Sequence, residues 1–238
     1  EKLVLDVKCG SAAFMKTEEE AIELAKSMVR TAADLDIDVT AQITRMDHPI
    51  GKMIGNGHEI AECIDCLRGN GPWDTMELVY MQADALGYDI RPHIKDGSAL
   101  GEFRDMCVRQ GVDEMVADLL ITEPWSVLKK AEHELRVSAN QTGFITDIDA
   151  MRIGKALCEM GVGRTGENTE VEHGVGIELI ARVGDYVKQG DIWAIIHHNR
   201  DIGDPYYIHD SVTISDVADK NPLPRLIKTI RYENLSNE

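Results

Sequence analysis

Four short stretches carry residue types that could do chemistry. The first is "DVKCGSAAFMKTEEEAIELAKSMV", Asp6 to Val29: a short apolar strand, a loop of small residues, and a helix. Gly10, Ser11, Ala12 and Ala13 let the backbone approach a ligand closely, and the helix start adds the positive end of a dipole. The loop has neither the lysine-and-hydroxyl pattern of a P-loop nor the three glycines of a dinucleotide fingerprint. Alone it reads as a strand-to-helix connection. The second, "PIGKMIGNGHEIAE", Pro49 to Glu62, could wrap a hard cation with loop carbonyls and one carboxylate. Its plain alternative, which the residues alone favour, is a glycine-rich turn followed by a solvated helix face.

The third is "CIDC", Cys63 to Cys66. Its spacing suits a metal or a redox pair, but no second Cys or His pair follows at zinc-site distance. It also falls inside a helix, away from the helix start where a thiol is activated, so it reads as two ordinary thiols. The fourth is His197–His198 at a strand end, where alternation sends neighbouring side chains to opposite faces and keeps them from one metal. The carboxylates are numerous and scattered, and spacing alone picks out no acid/base pair.

The elements that must position these residues follow from periodicity. Thr17 and Glu20 form a capping box, and apolar residues recur at helical spacing to about Ala33. "DVTAQIT", Asp38 to Thr44, is a second strand, so strand, helix and strand make a parallel βαβ unit. Helices are predicted from about Glu59 to Leu67, Thr75 to Leu86, Ser98 to Gln110, and around Met115 to Leu120. After Leu128 the runs "LRVSA", "GFITDID", "IELIARV", "DIWAIIHH" and "YYIHDSVTIS" are β-prone and separated by turns such as "VGDYVKQGD". The expected fold is therefore α/β: a mixed, partly parallel sheet with flanking helices in residues 1–128, then a mainly β barrel-sandwich domain in residues 129–238. The opening run "KLVLDV" reads as a buried parallel strand with neighbours on both sides, which implies preceding sequence that completes the sheet.

Composition narrows the class. The 238 residues are 43% hydrophobic and 28% charged, enough for a sizeable core. A formal charge of −17 argues against a nucleic-acid or anionic-membrane partner, although a small anionic substrate needs only local donors. Five irregularly spaced cysteines fit a reducing compartment, and no apolar run approaches a membrane span, so a cytoplasmic location is expected. "VGDYVKQGDIWAII" is similar to the turn-strand signature of biotinyl and lipoyl carriers, and "DAMRIG" to the biotin-attachment motif. Arg152 stands in place of the modifiable lysine, however, and the motif precedes the turn instead of following it.

Four long segments together resemble the thymidine and pyrimidine-nucleoside phosphorylases, in that family's order. They are "LVLDVKCGSAAFMKTEEEAIELAKSMV", "ITRMDHPIGKMIGNGHEIAECIDCLRGNGP", "DGSALGEFRDMCVRQG" and "GVGRTGENTEVEHGVGIELIARVGDYVKQGDIWAIIHH". The resemblance covers nearly the whole chain and matches the C-terminal half of a member. It implies a pentosyltransferase that performs reversible phosphorolysis of thymidine and related pyrimidine deoxyribonucleosides. Inorganic phosphate is the co-substrate, no organic cofactor is needed, and the protein works as a homodimer. It places the main catalytic groups before Glu1, so no catalytic residue is assigned here and the isolated chain is expected to be inactive. Phe14 matches an apolar wall near C5 of the base. Ile50 and Met53 match positions whose carbonyls bind a potassium ion in bacterial members, and Glu62 matches the carboxylate ligand. "GSAAF" has Ala12 where the family often has glycine, which costs about 1 kcal/mol if the position needs positive φ. The alternatives are a phosphorylase that also accepts uridine and a non-catalytic binding module.

Overall fold

The computed structural model describes residues 2–164, 170–200, 206–218 and 224–235. The chain runs β1 (Lys2–Cys9), α1 (Glu18–Ala33), β2 (Asp38–Arg45) and β3 (Met53–Ile54). Six helices follow: α2 (Asn56–Leu67), α3 (Trp73–Leu86), α4 (Arg91–Lys95), α5 (Ser98–Arg109), α6 (Glu114–Thr122) and α7 (Pro124–Val127). Then come β4 (His133–Ser138), β5 (Gly143–Ile148), α8 (Ala150–Glu159), β6 (Gly176–Leu179), β7 (Tyr186–Val187) and β8 (Ile192–His198). The last elements are α9 (Tyr206–His209), β9 (Val212–Ser215), β10 (Leu226–Arg231) and α10 (Tyr232–Leu235).

The βαβ unit forms as its pattern requires. The Thr17 hydroxyl accepts the Glu20 N–H at 3.3 Å, and the Glu20 carboxylate reaches back to the Thr17 N–H, closing the capping box. β1 and β2 are parallel, in register from Lys2 opposite Asp38 to Cys9 opposite Arg45. On one face of β2, Val39, Ala41 and Ile43 pack against Ala21, Ala25 and Val29 of α1, all buried. The other face is polar yet also buried. There Gln42 donates to the Met81 carbonyl of α3 at 3.3 Å, and Thr44 donates to Asp6.

The sheet order is β1-β2-β10, so among the described residues β1 pairs with β2 alone and lies at an edge, the side on which the expected preceding sequence would pair. Leu3 is exposed, and only Val7 and Cys9 near the strand's end are buried, because β2 and α1 cover one edge and one face. The region after Leu128 forms two open sheets among the described residues, ordered β3-β6-β8-β4 and β7-β5-β9, with no closed barrel. Both sheets contribute to one apolar core around the fully buried Trp193. Ile153, Ala156 and Leu157, one stripe of α8, complete that core. The aromatic run "YYIHD" forms the short helix α9 and leaves only Val212–Ser215 as strand.

The two regions exchange strands. β3, from the first, pairs antiparallel with β6, and β10, from the far end of the chain, returns to pair antiparallel with β2. No helix among the described residues is long and apolar enough to cross a membrane.

Candidate functional site

Parallel pairing brings the C-terminal ends of β1 and β2 to the same edge of the first sheet, so the loops that leave them meet. The loop after β1 turns at Gly10, whose φ is +131°. The Gly10 N–H donates to the Met15 carbonyl at 3.0 Å, and Lys16 Nζ donates to the Ser11 carbonyl at 2.8 Å. Phe14, at the tip, is 97% exposed, so its ring has almost no packing of its own. Ala12 is not among the positive-φ residues, and the alanine there is backbone-neutral.

The loop after β2 holds the second group. Glu62 of α2 accepts the N–H groups of Lys52 (2.7 Å) and Met53 (3.1 Å) on one oxygen. Its other oxygen lies against Gly51, whose φ is +74°, at a spot that any Cβ would occupy. The Thr75 hydroxyl borders the same spot, and it is buried with no hydrogen-bond partner. Burial pushes the Glu62 carboxyl above the ordinary carboxylate range; the two N–H donors and Arg182 offset part of that, and Asp74 adds to it. Ile50, Met53 and Glu62 line one cleft of about 490 Å³ with Thr75, so all three expected cation-site residues come together. A buried carboxylate beside an orphaned hydroxyl suits a hard cation, which prefers oxygen donors.

Against the loop after β2 lies a group that sequence reasoning missed. Asp74, at the start of α3, is 1% exposed and sits between two guanidinium groups, Arg182 at 2.6 Å and Arg225 at 2.9 Å. The Gly51 N–H donates to it at 3.3 Å. Arg225 also donates to the carbonyls of His48 (3.1 Å) and Pro49 (2.6 Å), and Arg182 lies 5.6 Å from the centre of the Trp73 ring. Burial alone would raise Asp74, but Arg182 and Arg225 outweigh it and hold its carboxyl below the usual range. No local signal marks this cluster, because Asp74 and Arg225 are 151 residues apart.

His197 meets the buried His58 of α2, ring centres 4.6 Å apart, while His198 meets His133, so the two neighbours diverge as alternation requires. Among the described residues no group of three or more His, Cys, Asp or Glu could hold a metal. Cys66 lies within α2 and burial pushes its thiol up to about 12, which leaves it protonated. "DAMRIG" is the first part of α8, where Asp149 caps the helix and Arg152 pairs with Asp210 at 3.5 Å.

Relatives fix what this arrangement belongs to. A family profile, the pyrimidine nucleoside phosphorylase C-terminal domain, matches residues 144–213. A pyrimidine-nucleoside phosphorylase of Bacillus subtilis is 37% identical over 97% of this chain and 55% of its own length. One from Staphylococcus epidermidis is 36% identical with the same coverage. One from Staphylococcus aureus is 36% identical over 90% of this chain and 52% of its own length. The chain belongs to the pyrimidine-nucleoside phosphorylase family. It spans about half the length of the curated relatives it matches, as a C-terminal half.

Proposed function

We propose that the protein carrying this chain catalyses reversible phosphorolysis of pyrimidine nucleosides. A phosphate oxygen attacks C1′ of the sugar, the bond from C1′ to the base nitrogen breaks, and the base leaves with the bonding electrons and takes up a proton. The products are free base and the sugar 1-phosphate. The observation that carries this reading is the 37% identity to a pyrimidine-nucleoside phosphorylase across nearly the whole chain, both candidate loops included.

In this reading the chain supplies walls and supports, and the groups that hold phosphate and activate the base lie outside residues 1–238. The transition state carries positive charge on the sugar, so those groups must set an anion beneath C1′ and stabilise charge on the departing base. Phe14 lines the base pocket near C5, and its almost complete exposure leaves the ring free to meet a ligand. Glu62, with the carbonyls of Ile50 and Met53, holds a potassium ion, and the partnerless Thr75 hydroxyl beside Gly51 supports an oxygen-lined site there. Bound there, the ion would supply fixed positive charge that holds the loop after β2 in place. The whole protein is a cytoplasmic homodimer that prefers thymidine. The relatives are named for pyrimidine nucleosides in general, which favours the broader reading, in which uridine is accepted as well.

The test follows free base released by the full-length protein from thymidine and from uridine, with and without phosphate. Phosphate-dependent release from either supports the phosphorylase, and the ratio of kcat/KM values decides the preference. No phosphate-dependent release from any pyrimidine nucleoside ends the reading. Residues 1–238 alone are expected to release none.

A further inference from the structure

The loop that presents Phe14 is held by one short piece of chain, Met46–Asp47. Two of the bonds are backbone to backbone: the Met46 N–H donates to the Cys9 carbonyl at 2.7 Å, and the Ala12 N–H donates to the Met46 carbonyl at 3.0 Å. Any residue at position 46 supplies these. The third depends on a side chain. The Asp47 carboxylate accepts the Ser11 N–H at 2.8 Å, a charge-assisted bond stronger than a neutral one. It reaches that N–H because position 10 has no side chain. A Cβ there would lie 2.6 Å from Asp47 Oδ1 and 2.8 Å from its Cγ.

Asp47 is itself fixed from the other side. Its carbonyl accepts the Ala150 N–H at the start of α8 at 3.3 Å. Its neighbour His48 meets Asp147 at 3.1 Å, and the His48 carbonyl is held by Arg225. The carboxylate therefore projects from a segment tied to both regions onto a loop whose tip has no packing to place it.

We propose that Asp47 is a positioning residue that sets where the Phe14 ring stands in the base pocket. This rests on the phosphorylase reading, in which that ring meets the base. In this proposal Asp47 acts through the Ser11 N–H. Its loss should therefore weaken nucleoside binding selectively and leave the phosphate side untouched.

The experiment uses the full-length protein with Asp47→Ala, Asp47→Asn and Gly10→Ala. Asp47→Ala is expected to raise the KM for nucleoside about tenfold, the equivalent of one charge-assisted hydrogen bond, with the KM for phosphate unchanged. Asp47→Asn keeps an oxygen acceptor and should recover most of the loss. Gly10→Ala pushes the carboxylate away and should reproduce Asp47→Ala. Amide hydrogen exchange at residues 10–14 should quicken in Asp47→Ala and not in Asp47→Asn. The proposal is overturned by an unchanged nucleoside KM, by nucleoside and phosphate KM values that rise together, or by unchanged exchange. If the wild-type protein releases no base, the phosphorylase reading fails, and the exchange measurement alone decides whether Asp47 holds the loop.

Discussion

Replacing Asp74 with alanine should be the most damaging single change away from the apolar cores. The carboxylate is 1% exposed, and its partners Arg182 and Arg225 are 17% and 11% exposed at the side chain. Removal leaves two guanidinium groups facing one another with no anion between them. Breaking a buried ion pair by deleting one partner costs about 3–5 kcal/mol. Two features favour the lower end: Arg225 keeps its backbone carbonyl partners, and Arg182 keeps the face of Trp73. About 3 kcal/mol corresponds to a fall in Tm of about 6–12 °C for a domain of this size. Calorimetry of the full-length protein reads it directly, and Asp84→Asn is the control. Asp84 makes a two-point pair with Arg91 that looks as good on paper, yet both side chains are nearly half exposed, so solvent screens the pair and its loss should be much smaller. The acid limb gives a second check. A carboxyl held below its unfolded value of about 3.9 contributes stability that is fully present above that pH and is lost as pH falls through the folded value. Asp74→Asn should therefore remove part of the destabilisation seen below about pH 4. Equal melting of Asp74→Ala and wild type would refute the reasoning, because it would mean the two arginines are solvated without their counter-ion.

Other outcomes follow from the same geometry. His58 is pushed down to about 4 by burial and by His197, while the unfolded chain protonates near 6.5. Stability should fall between those values as pH drops, by up to about 1.4 kcal/mol per pH unit. His58→Asn should flatten that limb in a pH series of melts, and an unaltered slope rejects the assignment. Potassium should raise Tm relative to choline, more strongly as pH rises through the elevated Glu62 value, because the ion favours the charged carboxylate. Glu62→Gln should abolish the effect; if wild type shows none between about pH 5 and 8, no such site exists. Gly51→Ala adds a Cβ on a left-handed backbone against the Glu62 carboxylate. It should cost about 1–2 kcal/mol and remove the potassium effect at the same time.

Sequence pattern reached the features that are local. The capping box at Thr17 and Glu20 needs only four residues. In "VGDYVKQGD" both turns are legible for one reason: a glycine at positive φ precedes an aspartate that accepts the N–H three residues back, Asp185 from Arg182 and Asp191 from Lys188, each at 2.8 Å. Pattern failed where distant contacts decide. "YYIHD" has strand-forming residues but turns into α9, since propensity is only a weak prior against tertiary packing. Asp74 looks like an ordinary first-turn carboxylate, and nothing in its neighbourhood announces arginines from two other parts of the chain.

The segment from Arg45 to Met53 shows why the two candidate loops should not be treated as separate sites. Within it Asp47 holds the Phe14 loop, and the His48 and Pro49 carbonyls take Arg225. The Gly51 N–H reaches Asp74, and the N–H groups of Lys52 and Met53 take Glu62. Met53 then enters the second region's sheet opposite Glu178. A stretch tied at so many points moves as a unit if it moves at all, because shifting one tie breaks the next. The Phe14 loop and the Glu62-bound loop are therefore two ends of one support, and Asp74 is the charge that fixes its middle.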